Sequence, residues 1–227
     1  MLLSQSFLVA PILLFACFMP PYAFARIPLD AETLLNKIEA IYAGVKDYQA
    51  GVEDRSYNRD GSFKIKKFLY TFKKPGRIRL DFVTPYSGTV LVYPDKNGEV
   101  VIRPSGFPFF KFHLSLNNPL LKVTSGQRLD QTDLGLLIKN IGHSLTDQRR
   151  GPAEVVREGE YIRVQVLADK HFQKGVVTLY HFLINQELWL PVLVEESTPE
   201  GRLERRIILR NLKTNIGFPD SFFQLDG

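Results

Sequence analysis

The chain of 227 residues carries 29 Lys and Arg against 24 Asp and Glu, a formal net charge of +5, and 44% of it is hydrophobic. The basic excess is spread along the chain, which excludes the clustered footprint of a nucleic-acid binder, and one Cys excludes a disulfide-stapled scaffold. The chain must therefore hold itself together by an apolar core, for which 17 Phe and 9 Tyr supply material.

The first element is not part of a fold. Residues 1–25, "MLLSQSFLVAPILLFACFMPPYAFA", contain no charged side chain, have an apolar middle and end in Ala23-Phe24-Ala25. That is the core and small-x-small cleavage site of a secretory signal. Cleavage after Ala25 is expected to remove Cys17 and to leave an exported protein of one domain over residues 26–227. A minority alternative is lipid anchoring at Cys17, from the lipobox-like "LFAC" at 14–17.

The mature chain opens with a helix. Asp30 is the expected N-cap, and Leu34, Leu35, Ile38, Ile41 and Tyr42 share a face at helical spacing before Gly44. From Asp47 the period falls to two. Turn signals recur at "NRDG" 58–61, "KPG" 74–76, "TPYSG" 84–88 and "DKNG" 95–98, and again at "REGE" 157–160, "DKHFQKG" 169–175, "NQE" 185–187 and "TPEG" 198–201. Short strands between close turns give an antiparallel meander. One segment, "DQTDLGLLIKNIGHSL" at 130–145, is helical, with Leu134, Leu137, Ile138 and Ile141 on a stripe. The expected order is helix, five or six strands, helix, five strands. Two architectures fit it: a sheet packed flat on its helices, or an incomplete barrel with helices as its lid.

Within strands, parity assigns faces. After the Pro75-Gly76 turn, Ile78, Leu80 and Phe82 point one way and Arg77, Arg79 and Asp81 the other, onto an expected solvated outer face. Phe110, Phe112, Leu114 and Leu116 alternate with polar residues, as do Ile162, Val164, Val166 and Ala168. Such a face either fills a solid core or lines a cavity for apolar ligands. Lys74 keeps the parity of the apolar face, within reach of a ligand's polar group or of a lid carbonyl. Chemistry is sparse by comparison. There is no G-x-S-x-G, H-E-x-x-H, P-loop or G-x-G-x-x-G motif. His113, His143, His171 and His181 are scattered, and Glu195 and Glu196 point to opposite faces of one strand. No enzyme activity, cofactor or metal is expected.

The segments "KKPGRIRLDFVTP", "GTVLVYPDKNGEV" and "LWLPVLVEESTPEGRLERRIILRNLKTNIGFPDSFFQLDG", between and after the two helices, resemble the LolA family of periplasmic lipoprotein carriers, in a divergent branch. Lys74-Pro75 stands where that family carries Arg-Pro, and Ile78 where it often has an aromatic. The resemblance implies a mainly β fold, a half-open antiparallel barrel of about 10–11 strands with helices covering its mouth. It implies residence in the periplasm and transport of lipoprotein or lipid acyl chains toward the outer membrane, with an inner-membrane release complex and an outer-membrane acceptor as partners. The expected cavity lining is Ile78, Leu80, Phe82, Phe110, Phe112, Leu114, Ile162 and Val164, with Lys74 as the polar contact. Leu35, Ile38, Leu134, Leu137 and Ile138 are the expected lid residues, on helices over 32–45 and 131–145. The protein is expected to be a monomer that binds no nucleic acid. The alternative function is an envelope sensor or interaction module that binds a partner protein by its surface.

Overall fold

The computed structural model describes residues 27–107, 109–121, 127–147, 150–171, 173 and 175–225; the expected signal segment 1–25, with Cys17, lies outside them. Among the described residues no helix is long and apolar enough to cross a membrane.

Alternation and turn residues produce a long antiparallel meander in two runs. The first holds β1 (Ile27–Pro28), α1 (Ala31–Ala43), β2 (Asp47–Tyr57), β3 (Phe63–Lys73), β4 (Arg77–Thr84), β5 (Val90–Tyr93), β6 (Val100–Arg103) and β7 (Phe112–Leu114). The second holds α2 (Leu134–Thr146), β8 (Glu154–Glu158), β9 (Tyr161–Asp169), β10 (Val177–Asn185), β11 (Leu190–Ser197) and β12 (Leu203–Thr214). These twelve described strands form one sheet in the order β1-β8-β9-β10-β11-β12-β2-β3-β4-β5-β6-β7. Its end strands β1 and β7 do not pair with each other, so the sheet curls into a half-open barrel. The strand beyond the expected ten or eleven is β1, two residues long and paired to β8.

Both helices are capped as their sequences dictate. Asp30 Oδ2 accepts from Thr33 N at 2.7 Å, and Asp133 Oδ1 accepts from Gly135 N at 2.7 Å and Leu136 N at 3.2 Å. The helices lie inside the curl, with α1 against β11 and α2 against β9. They meet closely because Gly142 has no side chain: a Cβ there would stand 3.2 Å from the methyls of Leu35. Leu34, Ile38 and Ile141 pack onto Ile162, Val164, Phe182 and Ile184, all fully buried. This half of the curl is solid core. Burying each such side chain contributes about 1.5–3 kcal/mol.

The convex face of β4 is not the solvated surface its charges suggest. The C-terminal turn Asp220–Phe223 docks there. Lys73 Nζ reaches Asp220 Oδ1 at 2.6 Å and the Phe218 carbonyl at 2.8 Å. Arg79 grips Asp81 through Nε and Nη2, donates to the Phe222 carbonyl at 3.0 Å and lies 4.6 Å from the Phe222 ring. Asp47 anchors the approach to that turn: its carboxylate accepts from Ile216 N, Gly217 N and Phe218 N. Beyond it Leu225 covers Val90, Val92 and Val101.

Candidate functional site

The helices fill most of the β8–β11 side of the curl and little of the other. Over β12 and β2–β6, and bordered on the other side by Tyr180, Phe182, Val194 and Glu196 of β10 and β11, they leave a cavity of about 460 Å3, within the span of about 300–1,000 Å3 usual for small-ligand sites. Its wall is mostly apolar. Val52, Phe68, Leu80, Phe82, Leu91, Ile102, Ile207 and Leu209 come from the sheet, and Leu121, Leu129, Leu134 and Leu137 from the segment leading into α2 and from α2 itself. Phe68 and Phe82 lie 5.7 Å apart and Phe82 and Tyr86 6.3 Å, so aromatic rings line one side.

Three tyrosines tie the start of α2 over this cavity. Tyr48 Oη accepts from Leu134 N at 2.8 Å. Thr132 Oγ1 donates to the Leu129 carbonyl at 2.7 Å, which leaves Tyr70 Oη to donate to Thr132 Oγ1 at 3.2 Å. Tyr42 Oη donates to Asp133 Oδ1 at 3.3 Å. Burial pushes all three phenols above their ordinary pKa, so each stays a protonated hydroxyl.

One end of the wall is charged. Asp54 has the parity of Tyr48, Ala50 and Val52, and Arg205 that of Ile207 and Leu209, so both point inward. Arg205 Nε and Nη2 donate to the two carboxylate oxygens of Asp54 at 2.9 Å each. Arg205 Nη1 lies 3.6 Å from Glu196, and Lys170 Nζ 3.3 Å from the same carboxylate. Arg205 is 7% exposed, Asp54 4% and Glu196 8%. Burial opposes the charge on Arg205; the hydrogen bonds and charge of Asp54, with Glu196, outweigh it and raise its pKa. Lys66 faces Asp54 across the β2–β3 register and completes the rim. Beside it His171 stacks on Tyr180 at 5.3 Å and meets Ser144 Oγ at 3.1 Å. Burial, with repulsion from His143, holds His171 below the ordinary imidazole range.

The expected site residues fall into three groups. Leu80, Phe82, Leu134 and Leu137 stand in the cavity wall. Ile162, Val164, Ile38 and Ile138 lie in the solid core, Leu35 in the seam between the helices, and Ile78, 1% exposed, against a second hollow of about 950 Å3. Phe110 and Phe112 are 63% and 54% exposed, outside the cavity, because Phe110 precedes β7 and β7 is a three-residue edge strand with β6 on one side only; Leu114 is half-buried in β7. Lys74 reaches helix α1 instead of the cavity. Its Nζ donates to the Tyr42 and Ala43 carbonyls at 2.9 and 3.3 Å, closing the C-terminus of α1. The inward charges Asp54, Lys66, Lys170, Glu196 and Arg205 were absent from the sequence-based expectation. Their signal was a charged residue at apolar parity.

Glu195 and Glu196 do point apart: Glu195 pairs with Arg206 on the outer face. Asp95, Glu99 and His113 lie within reach of one another. Asp95 Oδ1 there accepts from Asn97 N and Glu99 N at 2.8 Å each, which makes it a brace for the turn between β5 and β6.

No family model and no curated protein matches the chain. Among solved structures, it is similar to an uncharacterized conserved protein from Thermus thermophilus, at 11% identity over 85% of this chain and 91% of that one, TM-score 0.47. It is similar to MucB in the Pseudomonas aeruginosa MucA/MucB complex, at 15% identity over 88% of this chain and 62% of that one, TM-score 0.40. In its arrangement of strands and helices it is also similar to the LolA superfamily protein NE2245 from Nitrosomonas europaea, at 13% identity over 86% of this chain and 98% of that one, TM-score 0.39, a likeness that carries over neither residue roles nor ligands.

Proposed function

We propose that the protein is a carrier of the cell envelope that shelters acyl chains of lipoproteins or lipids in the cavity beneath α2. The observation that supports this reading is the cavity itself: an apolar space of about 460 Å3 that neither the helices nor the strands fill with their own side chains. Each methylene moved into it contributes about 0.8 kcal/mol. A sixteen-carbon chain thus gains on the order of 10 kcal/mol before the losses of association. Release follows from the same geometry. The bonds from Tyr48 and Tyr70 that hold the start of α2 lie in the cavity wall, so bound chain and closed lid compete for one surface.

Mass spectrometry of an organic extract of the purified protein tests the proposal, together with titration of a fluorescent acyl probe. Co-purified fatty acid, phospholipid or lipopeptide is the expected result. Ile207→Trp, which fills the cavity from its wall, is expected to abolish probe binding while the far-UV circular dichroism stays native. A protein that is always empty and ignores the probe refutes the reading.

A second reading, a module that binds a partner protein by its surface, has an observation of its own. Phe107, Phe109, Phe110 and Phe112 stand 54–94% exposed beside the cavity mouth, more aromatic surface than a solvated loop needs. It predicts that replacing Phe109 and Phe110 by Ser removes the biological effect and leaves acyl-probe affinity unchanged.

A further inference from the structure

The registers place the charged wall residues at one particular end of the barrel. The hairpins β2–β3, β4–β5, β9–β10 and β11–β12 all turn there. Asp54 and Lys66 face each other three residues inside the first of these turns, and Glu196 faces Arg205 just inside the last. Exposed Tyr86 marks the tip of the β4–β5 hairpin at the same end. The opposite end of the cavity is closed by Tyr48, Tyr70 and Leu134, all buried. The space therefore has a charged mouth, an apolar middle, and a far end closed by tyrosine rings whose hydroxyls are taken up by Leu134 and Thr132.

The charges at the mouth are unequally paired. At this end Lys66, Lys170 and Arg205 line the wall with Asp54 and Glu196, while the third wall carboxylate, Asp133, lies at the far end and Glu204 meets Lys170 at 3.7 Å from outside the wall. Both of the mouth's wall carboxylates are committed: Asp54 takes two hydrogen bonds from Arg205, and Glu196 lies between Arg205 and Lys170. Lys66 is half-buried, faces the cavity and has no ion-pair partner among the described residues. An uncompensated cation beside low-dielectric walls attracts an anion far more strongly than one in open water. Its position at the mouth selects a ligand whose anionic group sits at one end of an apolar chain.

We infer that the cavity takes a single amphiphile with an anionic head group, seated between Lys66 and the Arg205–Lys170 rim, with its chain running down to Tyr48 and Leu134. The inference rests on the acyl-carrier reading and names the class of cargo for it. The head is a carboxylate or a phosphate, so both a free fatty acid and a phospholipid offer the required chemistry. Lys66 has no ion-pair partner among the described residues, so its replacement leaves the Arg205 network and the fold in place.

The test is calorimetric titration of palmitate, hexadecanol and hexadecyl phosphate into the intact mature protein and into Lys66→Gln. Binding of an anionic probe about tenfold tighter than the alcohol, with that margin lost in Lys66→Gln and weakened by added salt, supports the inference. A larger margin for the phosphate than for the carboxylate assigns a phospholipid source, and the reverse a fatty acid. Equal affinity of all three probes for the unaltered protein overturns the inference and leaves acyl carriage standing. An anionic preference that survives in Lys66→Gln also overturns it, since the head then sits elsewhere. Binding of none of the three overturns both readings.

Discussion

Removing the Asp54 carboxylate puts the charged rim to a direct energetic test. Asp54→Ala leaves the guanidinium of Arg205 only 7% exposed and without its two 2.9 Å charge-assisted bonds. Breaking a buried pair from one side destabilises by about 3–5 kcal/mol, because the surviving charge stays desolvated. Glu196 is the remaining counter-charge, 3.6 Å from Nη1, but it is shared with Lys170. The lower end of the range, about 3 kcal/mol, is therefore expected, a large part of the roughly 5–15 kcal/mol typical of a domain. With a slope of about 2 kcal/mol per molar urea, the denaturation midpoint falls by roughly 1.5 M. Asp54→Leu with Arg205→Met removes both charges from the same wall and is expected to recover most of the loss. Urea titrations of the two singles and the double close the cycle. A midpoint for Asp54→Ala within about 0.3 M of the parent refutes the reasoning, because the pair would then be solvated in solution.

Three more outcomes follow from contacts elsewhere. Tyr48→Phe keeps the ring and removes the acceptor of Leu134 N, leaving that buried N–H unpaired at about 1–3 kcal/mol; hydrogen exchange in the first turn of α2 is expected to rise before exchange in β9 does. Asp47→Ala strips the carboxylate from Ile216, Gly217 and Phe218 N–H groups; a loss of about 1–3 kcal/mol and new proteolytic cleavage between 214 and 225 are expected. His171 is held below the ordinary 6.5 by burial and by His143. The unfolded chain then takes up a proton that the folded one refuses, so stability falls as pH drops below about 6.5, by at most about 1.4 kcal/mol per unit, and levels off once the folded side chain also protonates. His171→Gln is expected to flatten that slope in urea titrations run at stepped pH.

Alternation in the sequence identifies which residues share a face, and it does so correctly for β4 and β9. It says nothing of what lies over that face. Ile162 and Val164 read the same as Leu80 and Phe82, yet helices seal the first pair and leave the second pair bordering empty space. Caps were legible: Asp30 starts α1 as its side chain dictates, while the second helix starts at Asp133, two residues after the "DQ" that opens the polar approach. Phe110 misled because its period of two continues into a segment that pairs for only three residues. Arg77 and Arg79 misled in the opposite sense. Their partners Asp220 and Phe222 lie more than 140 positions along the chain, a distance at which local pattern carries no information.

The strand order has a consequence for a chain that emerges from its N-terminus. β12 is the last of the described strands in chain order, yet it sits in the middle of the sheet, paired to β11 on one side and β2 on the other. Until Leu203–Thr214 is available, β2–β7 and β8–β11 are separate leaves, each with a raw inner edge able to pair with another copy. Closure is thus a long-range event that waits for β12, and contacts of high sequence separation are the slowest to form. A chain stopped short of residue 203 is two half-sheets with unpaired edges, and its natural fate is to stick to its neighbours.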